Sequence, residues 1–301
     1  MTMSQSIKAA RLRGSGSRGS GSRSTGRKGL RIKGNPLAGL GAGVWLVIVL
    51  VPLYILVTTS LRTQDEALGG NPLSWPKTLT LSNYKLVLDS GFWGFLVNNV
   101  LVTAFTVAAV VLLCVPVAYV VVRSAGRWAN FAFRIFLLGL AIPAPVTIVP
   151  LYVMIGKMGL YDSLPAIILP TAAFAMPVTL LILVGSMRDI SEELYEAMAL
   201  DGAGQARILL QLVVPLSRSG LSTVAVFTAL NAWNGFIFPL ILTQSDNERV
   251  LTTGLYTLSS QYGVNIPATL AAVVLSGIPM FVAYLLARKA LISGLMGVGG
   301  K

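Results

Sequence analysis

The apolar positions of this chain come in six long runs, at about 37–60, 96–122, 135–156, 163–187, 219–244 and 269–287. Each is near the ~20 residues that a helix needs to cross a bilayer. The pattern predicts an all-α polytopic membrane protein with six transmembrane helices. The third and fourth runs are joined by the short turn Gly159-Leu-Tyr-Asp162, and Phe92, Trp93 and Phe95, which lead the second, suit a membrane–water interface. Gly39 and Gly43 form a GxxxG in the first run, a candidate packing face.

Proline punctuates the runs. Pro143-Ala-Pro145 and Pro150 are expected to break or kink the third span, because each ring removes a backbone donor. The longest outer loop, about 61–95, has turn chemistry in Gly69-Gly70-Asn71-Pro72 and a short helix predicted over Leu81–Leu88. It reads as a cap rather than a domain. Residues 1–36 are different in kind: Gly14-Ser-Gly-Ser-Arg18 repeats as Gly19-Ser-Gly-Ser-Arg23, and nothing there can bury a core. They are expected to be a disordered basic tail in the cytoplasm that touches anionic lipid, with residues 37–301 forming the membrane domain.

Composition supports the membrane reading. Only 11% of residues are charged and 54% are hydrophobic, where a soluble chain has about 25% charged. The net charge of +12 does not imply nucleic acid, because nine of the 23 basic residues lie in the first 33 positions. With no His and the single Cys114, disulfide frameworks, Cys/His zinc sites and His-dependent triads are excluded. No metal or cofactor is expected. Counting Lys and Arg with both termini in the cytoplasm gives eighteen inside and five outside, and nine to five without the tail.

None of the six runs contains Asp, Glu, Lys, Arg or His. A proton-coupled carrier needs ionisable groups near the midplane, so that class is disfavoured. A Na⁺-coupled or facilitative carrier survives, because backbone carbonyls can bind Na⁺. Gly14-Ser-Gly16-Ser-Arg-Gly19 matches GxGxxG in letters but has no flanking strand or helix, and Gly299-Gly-Lys301 lacks the first Gly and the Ser/Thr of a phosphate loop. The chain carries no ATP site and no catalytic constellation, so it is not read as an enzyme. Of the uncharged polar residues in the runs, Asn231, Trp233 and Asn234 are the candidate solute contacts. Amides and an indole together suit a sugar, which offers hydroxyls at its rim and C–H on its faces.

One segment between the fourth and fifth runs is dense in charge. It carries Asp189, Glu192, Glu193, Glu196 and Asp201, five of the chain's eleven acids. Asp189 with Glu192 forms a capping-box-like pair, with Ser191 as the rival cap. Asp201-Gly202 is expected to break the helix, with Gly202 at positive φ. A second helix is predicted over about Gln205–Val213. The expected outcome is a helix–turn–helix outside the membrane, read from the pattern alone as a docking knob for a partner in water or as an ordinary solvated connecting loop.

Glu196-Ala-Met-Ala-Leu-Asp-Gly-Ala203, followed at the right distance by Leu-Val-Val-Pro215-Leu216, resembles the EAA coupling loop of ABC importer permeases. Ala118-Tyr119 with Arg123, Pro143 with Pro150-Leu-Tyr, Trp233-Asn234 with Phe238-Pro239-Leu240, and the ending Gly294-Leu-Met-Gly-Val-Gly-Gly-Lys301 extend the likeness over about 40–301, towards the maltose-type second permease of the carbohydrate branch. The resemblance implies a cytoplasmic EAA loop at about 189–217 that enters a cleft of an ATPase subunit, with Glu196, Ala197, Met198, Asp201, Gly202, Ala203 and Leu209 at the docking surface. It also implies a second permease as heterodimer partner, ABC ATPase subunits and an extracytoplasmic sugar-binding protein. Met198 stands where the family usually has Ala, and Leu209 where an aromatic is common. The expected role is sugar import through the cell membrane by a permease subunit that does no chemistry itself.

Overall fold

The structure is a computed structural model and describes residues 36–124, 126–261 and 265–298. The tail at 1–35, and Gly299 to Lys301, lie outside the described residues. The chain divides into two compact units, residues 1–48 and 49–301.

The first helix, α1, is Pro36–Ser60. The segment after it forms two short helices, α2 (Gln64–Gly69) and α3 (Ser82–Asp89), so the predicted short helix is present. Arg62 organises this cap. It is 1% exposed, and its guanidinium donates to the carbonyls of Asn71 (3.0 Å), Pro72 (3.3 Å) and Ser74. Asn83 of α3 donates to the carbonyls of Ser60 (2.9 Å) and Arg62 (2.8 Å), tying cap to helix end.

The helices α4 (Phe92–Arg123) and α7 (Leu164–Arg188) form the central pair. Val110, Cys114 and Ala118 of α4 and Leu180, Leu183 and Met187 of α7 are fully buried in one cluster. In lipid such contacts are held by close packing and not by release of water. Close approach is built in: a Cβ on Gly220 would lie 2.6 Å from the Ser186 hydroxyl, so α11 (Arg218–Trp233) can approach α7 only because that position is glycine.

Between α4 and α7 lie α5 (Arg127–Leu138) and α6 (Ile148–Lys157), each prolonged by a 3₁₀ turn and bent by 96° at Ile142–Pro143. Ile142 is extended, the state that a following proline enforces. The expected single span at 135–156 is therefore two arms. Pro52, Pro116, Pro170, Pro177 and Pro279, by contrast, sit inside continuous helices.

After α7 come α8 (Glu192–Leu200), α9 (Gln205–Ile208), a π-helical turn at Leu209–Val213 and α10 (Val214–Leu216). The segment Gln205–Leu216 meets α11 at 78°. Beyond Trp233 the chain breaks at Asn234–Gly235 before α12 (Ile237–Leu242), so the run at 219–244 is not one helix. Helices α13 (Leu251–Gln261) and α14 (Ile266–Val298) complete the described fold. Four helices are long and apolar enough to cross a membrane, or up to six if each bent pair is one span. The described residues contain no strand.

The aromatic lead-in to α4 departs from expectation. Phe92 and Phe95, three residues apart, share a face and are buried against Trp233, Leu251 and Ala271. Trp93 alone of the three is exposed.

Candidate functional site

The charged segment folds as the expected helix–turn–helix. Its first cap is Ser191, with extended backbone; Asp189 instead closes α7. The capping-box reading of Asp189 is corrected for a simple reason. The α7 helix continues to Arg188, which leaves only Asp189, Ile190 and Ser191 between helices. Glu192 and Glu193 occupy the first turn of α8, where the helix dipole favours negative charge.

The turn is a Schellman motif. The Gly202 N–H donates to Ala199 (3.0 Å) and the Ala203 N–H to Met198 (3.0 Å). Gly202 has φ +76°, and a Cβ there would meet nothing within 4 Å. Glycine is required by the backbone and not by crowding.

The hairpin has an inner and an outer surface. Tyr195, Ile208 and Val213 are buried in the α4–α7 cluster, with Met198, Ala203 and Leu209 packed partly against it. Glu196, Ala197, Asp201 and Gly202 are exposed. Of the seven residues expected at a docking surface, four face out and three lean inward. Sequence reasoning missed Leu200, 88% exposed, and Leu210, 65% exposed. Leu200 was findable: it lies two residues past the inward Met198, which puts it on the opposite side of α8. Leu210 was not, because the π turn shifts the phase of every later position.

Two contacts from α4 reach this hairpin. Arg123 pairs with Glu192, and its guanidinium lies 4.3 Å from the centre of the Tyr195 ring. The Tyr119 hydroxyl donates to Gln205 Oε1 at 2.5 Å. Burial pushes the Tyr195 hydroxyl above the ordinary tyrosine pKa.

The second candidate feature is a cavity of about 650 Å³ between α7, α11 and α12. Its wall includes Thr171, Phe174, Asn231, Asn234, Phe236 and Phe238, with Ala144 delivered by the bend after Pro143. The Phe174 and Phe238 rings are 5.5 Å apart. Asn231 and Asn234 each donate one amide N–H to the carbonyl four residues back, Phe227 and Leu230 respectively, both at 2.8 Å. This holds the amides in place and leaves each Oδ1 as an acceptor. None of the residues lining this cavity is charged.

Trp233 is not part of it. It is 8% exposed, in the cluster with Phe92 and Phe95, and its carbonyl accepts from Asn99 at 3.3 Å. Helical spacing explains the split: positions 231 and 234 share a face, and 233 turns away. Asn98 serves structure as well, donating to the carbonyls of Asn247 (2.6 Å) and Arg249 (2.9 Å). Among the described residues no group of three or more His, Cys, Asp or Glu is placed to hold a metal.

Comparison with known proteins gives a consistent result. Residues 111–291 match the family model described as "Binding-protein-dependent transport system inner membrane component". The chain is 32% identical over 243 residues to the diacetylchitobiose uptake system permease protein of Streptomyces coelicolor, covering 80% of each chain. It is 28% identical over 253 residues to the multiple sugar-binding transport system permease protein of Streptococcus mutans, covering 83% of this chain and 91% of the relative. Its fold matches a chain of a bacterial ABC transporter involved in the import of the acidic polysaccharide alginate. There the TM-score is 0.72 at 20% identity, covering 84% of this chain and 95% of that one.

Proposed function

This chain belongs to the family of binding-protein-dependent transport system inner membrane components, and from that premise we propose that it is the permease subunit through which a neutral sugar, an oligosaccharide or disaccharide, crosses the cytoplasmic membrane. It is a multi-pass membrane component and not an enzyme; separate ATPase subunits supply the energy. A second, related permease completes the pathway, and an external binding protein delivers the sugar. Both termini and the hairpin at 189–217 face the cytoplasm.

The observation that carries this reading is the hairpin. Exposed Glu196, Ala197, Asp201 and Gly202, with Leu200 and Leu210 beside them, form a projecting surface on a base that is packed into α4 and α7. Apolar side chains held out in water by a rigid turn suit insertion into a partner's cleft. The charge-free cavity with two oriented amide oxygens and the Phe174–Phe238 pair suits hydroxyls and C–H faces. It is the stretch of pathway that this chain contributes.

The test is co-purification of the chain with its ATPase, before and after Gly202→Asp and Leu200→Asp. Both variants are expected to lose ATPase from the complex. Undiminished assembly together with undiminished uptake would remove the docking role. The chain reconstituted alone in liposomes is expected to move no sugar; uptake without ATP would instead establish a stand-alone carrier.

A further inference from the structure

The last turn of α4 holds both arms of the hairpin. Tyr119 and Arg123 are four residues apart and so share one face of α4. From that face Arg123 reaches α8, pairing with Glu192 and covering the Tyr195 ring at 4.3 Å. Tyr119 reaches the first residue of α9, donating to Gln205 at 2.5 Å. The Schellman turn lies between the two arms. A displacement of the hairpin as a body therefore moves two anchor points on one helix turn.

We propose that Tyr119 and Arg123 are positioning residues that transmit movement of the cytoplasmic hairpin into α4, so that nucleotide-driven motion of a docked ATPase reaches the membrane pathway through this clamp. The proposal rests on the docking role given to the hairpin above.

Three features favour transmission over simple stabilisation. The Arg123–Glu192 pair is open to solvent, with the two side chains 30% and 65% exposed, and exposed pairs stabilise little. The clamp is also placed on α4, whose Val110, Cys114 and Ala118 are buried against α7, and a packed core shifts as a body and does not deform. Finally, the Tyr195 hydroxyl is buried and has no hydrogen-bond partner among the described residues. A buried, unsatisfied hydroxyl raises the energy of the arrangement it sits in, and a rearranged hairpin that pairs it recovers that cost.

The experiment uses the full complex of this chain, its partner permease and the ATPase in lipid nanodiscs. An environment-sensitive thiol fluorophore is placed either on the hairpin, at Leu194→Cys, or on α4, at Phe105→Cys; both positions are exposed. The probe is ATP with vanadate against no nucleotide. In the parent complex both labels are expected to shift. In Tyr119→Phe with Arg123→Gln the hairpin label is expected to shift as before. The α4 response is expected to be lost, leaving that label at its nucleotide-free signal. Reversing the pair, Arg123→Glu with Glu192→Arg, restores the response lost in Arg123→Glu alone. An undiminished α4 shift in the clamp variant overturns the proposal while leaving docking intact. Loss of ATPase from the clamp variant also overturns it, because the clamp would then hold the hairpin and not transmit. A parent complex whose hairpin label ignores nucleotide and which retains no ATPase defeats the docking reading itself.

Discussion

The ring of Phe95 on α4 lies directly over Gly254 on α13: a Cβ built on Gly254 would stand 2.3 Å from one ring carbon and within 2.8 Å of two more. Phe95 is 8% exposed and packed with Phe92, Trp233 and Leu251, so the ring has nowhere to go. Gly254→Ala is expected to destabilise the protein by about 1–3 kcal/mol, the usual cost of overpacking. Thermal unfolding in detergent measures this. Adding Phe95→Leu should recover part of the loss; no recovery would show that the clash lies elsewhere.

Gly202 makes the opposite case. Its Cβ would meet nothing, but its φ is +76°. Gly202→Ala should cost about 1 kcal/mol through backbone strain alone. Gly202→Val should cost more, because β-branching narrows the allowed backbone further. Both losses fall on the hairpin turn. Proteolytic cleavage between α8 and α9 is expected to speed up, while the midpoint of global unfolding stays near that of the parent.

Asp162 joins the α6–α7 turn to the segment after α12. Its Oδ1 accepts from the backbone N–H groups of Gln244 (2.7 Å) and Ser245 (2.9 Å), and its own N–H donates to Leu242 (2.9 Å). The Gln244 N–H, followed by that of Ser245, holds the carboxyl below the usual aspartate range. A depressed pKa contributes stability above the unfolded value, about 3.9, and that contribution fades as pH falls through the folded value. Asp162 also has φ +60°, which Asn tolerates. Asp162→Asn keeps the acceptor and removes the titration. Unfolding midpoints of parent and variant should differ most at neutral pH and converge in acid; parallel curves would count against the ion's role.

Arg62 is predicted to resist conservative replacement. Its fork serves three carbonyls at once, those of Asn71, Pro72 and Ser74. Lysine is a single flexible point charge and cannot span them. Arg62→Lys and Arg62→Ala should both loosen the cap, at about 1–3 kcal/mol for carbonyls left unpaired. Protease cutting within residues 66–80 should rise similarly in both. Full protection in the Lys variant would reject the fork as the cause.

Much of this arrangement is legible in the chain. Long apolar runs place α1, α4, α7 and α14, and Pro143 with Pro145 marks the bend at 96°. Asp201-Gly202 marks the turn whose positive φ the structure carries. What sequence misplaced were faces. Trp233 stands beside two cavity amides in the chain but turns into the core, and Phe92 and Phe95 looked interfacial but share a buried face. Reading 231 with 234, and 92 with 95, would have sorted them. The break after Trp233 did have a signal, the Asn234-Gly235 dipeptide, which the surrounding apolar run hid; the π turn at 209–213 had none.

The burial of Arg62 also alters the electrical account of the membrane domain. With the termini in the cytoplasm, as proposed, the outer segments hold five cations, but one of these, Arg62, is sealed beneath the cap with its charge solvated by peptide oxygens. Of the other four, Arg249 is already paired with Asp246 at 2.6 Å, so an anion or a headgroup approaching that face meets three unpaired lysines at most. The asymmetry presented to the bilayer is therefore steeper than the letters of the sequence suggest, and Arg62→Ala should leave the insertion topology unchanged even as the cap comes apart.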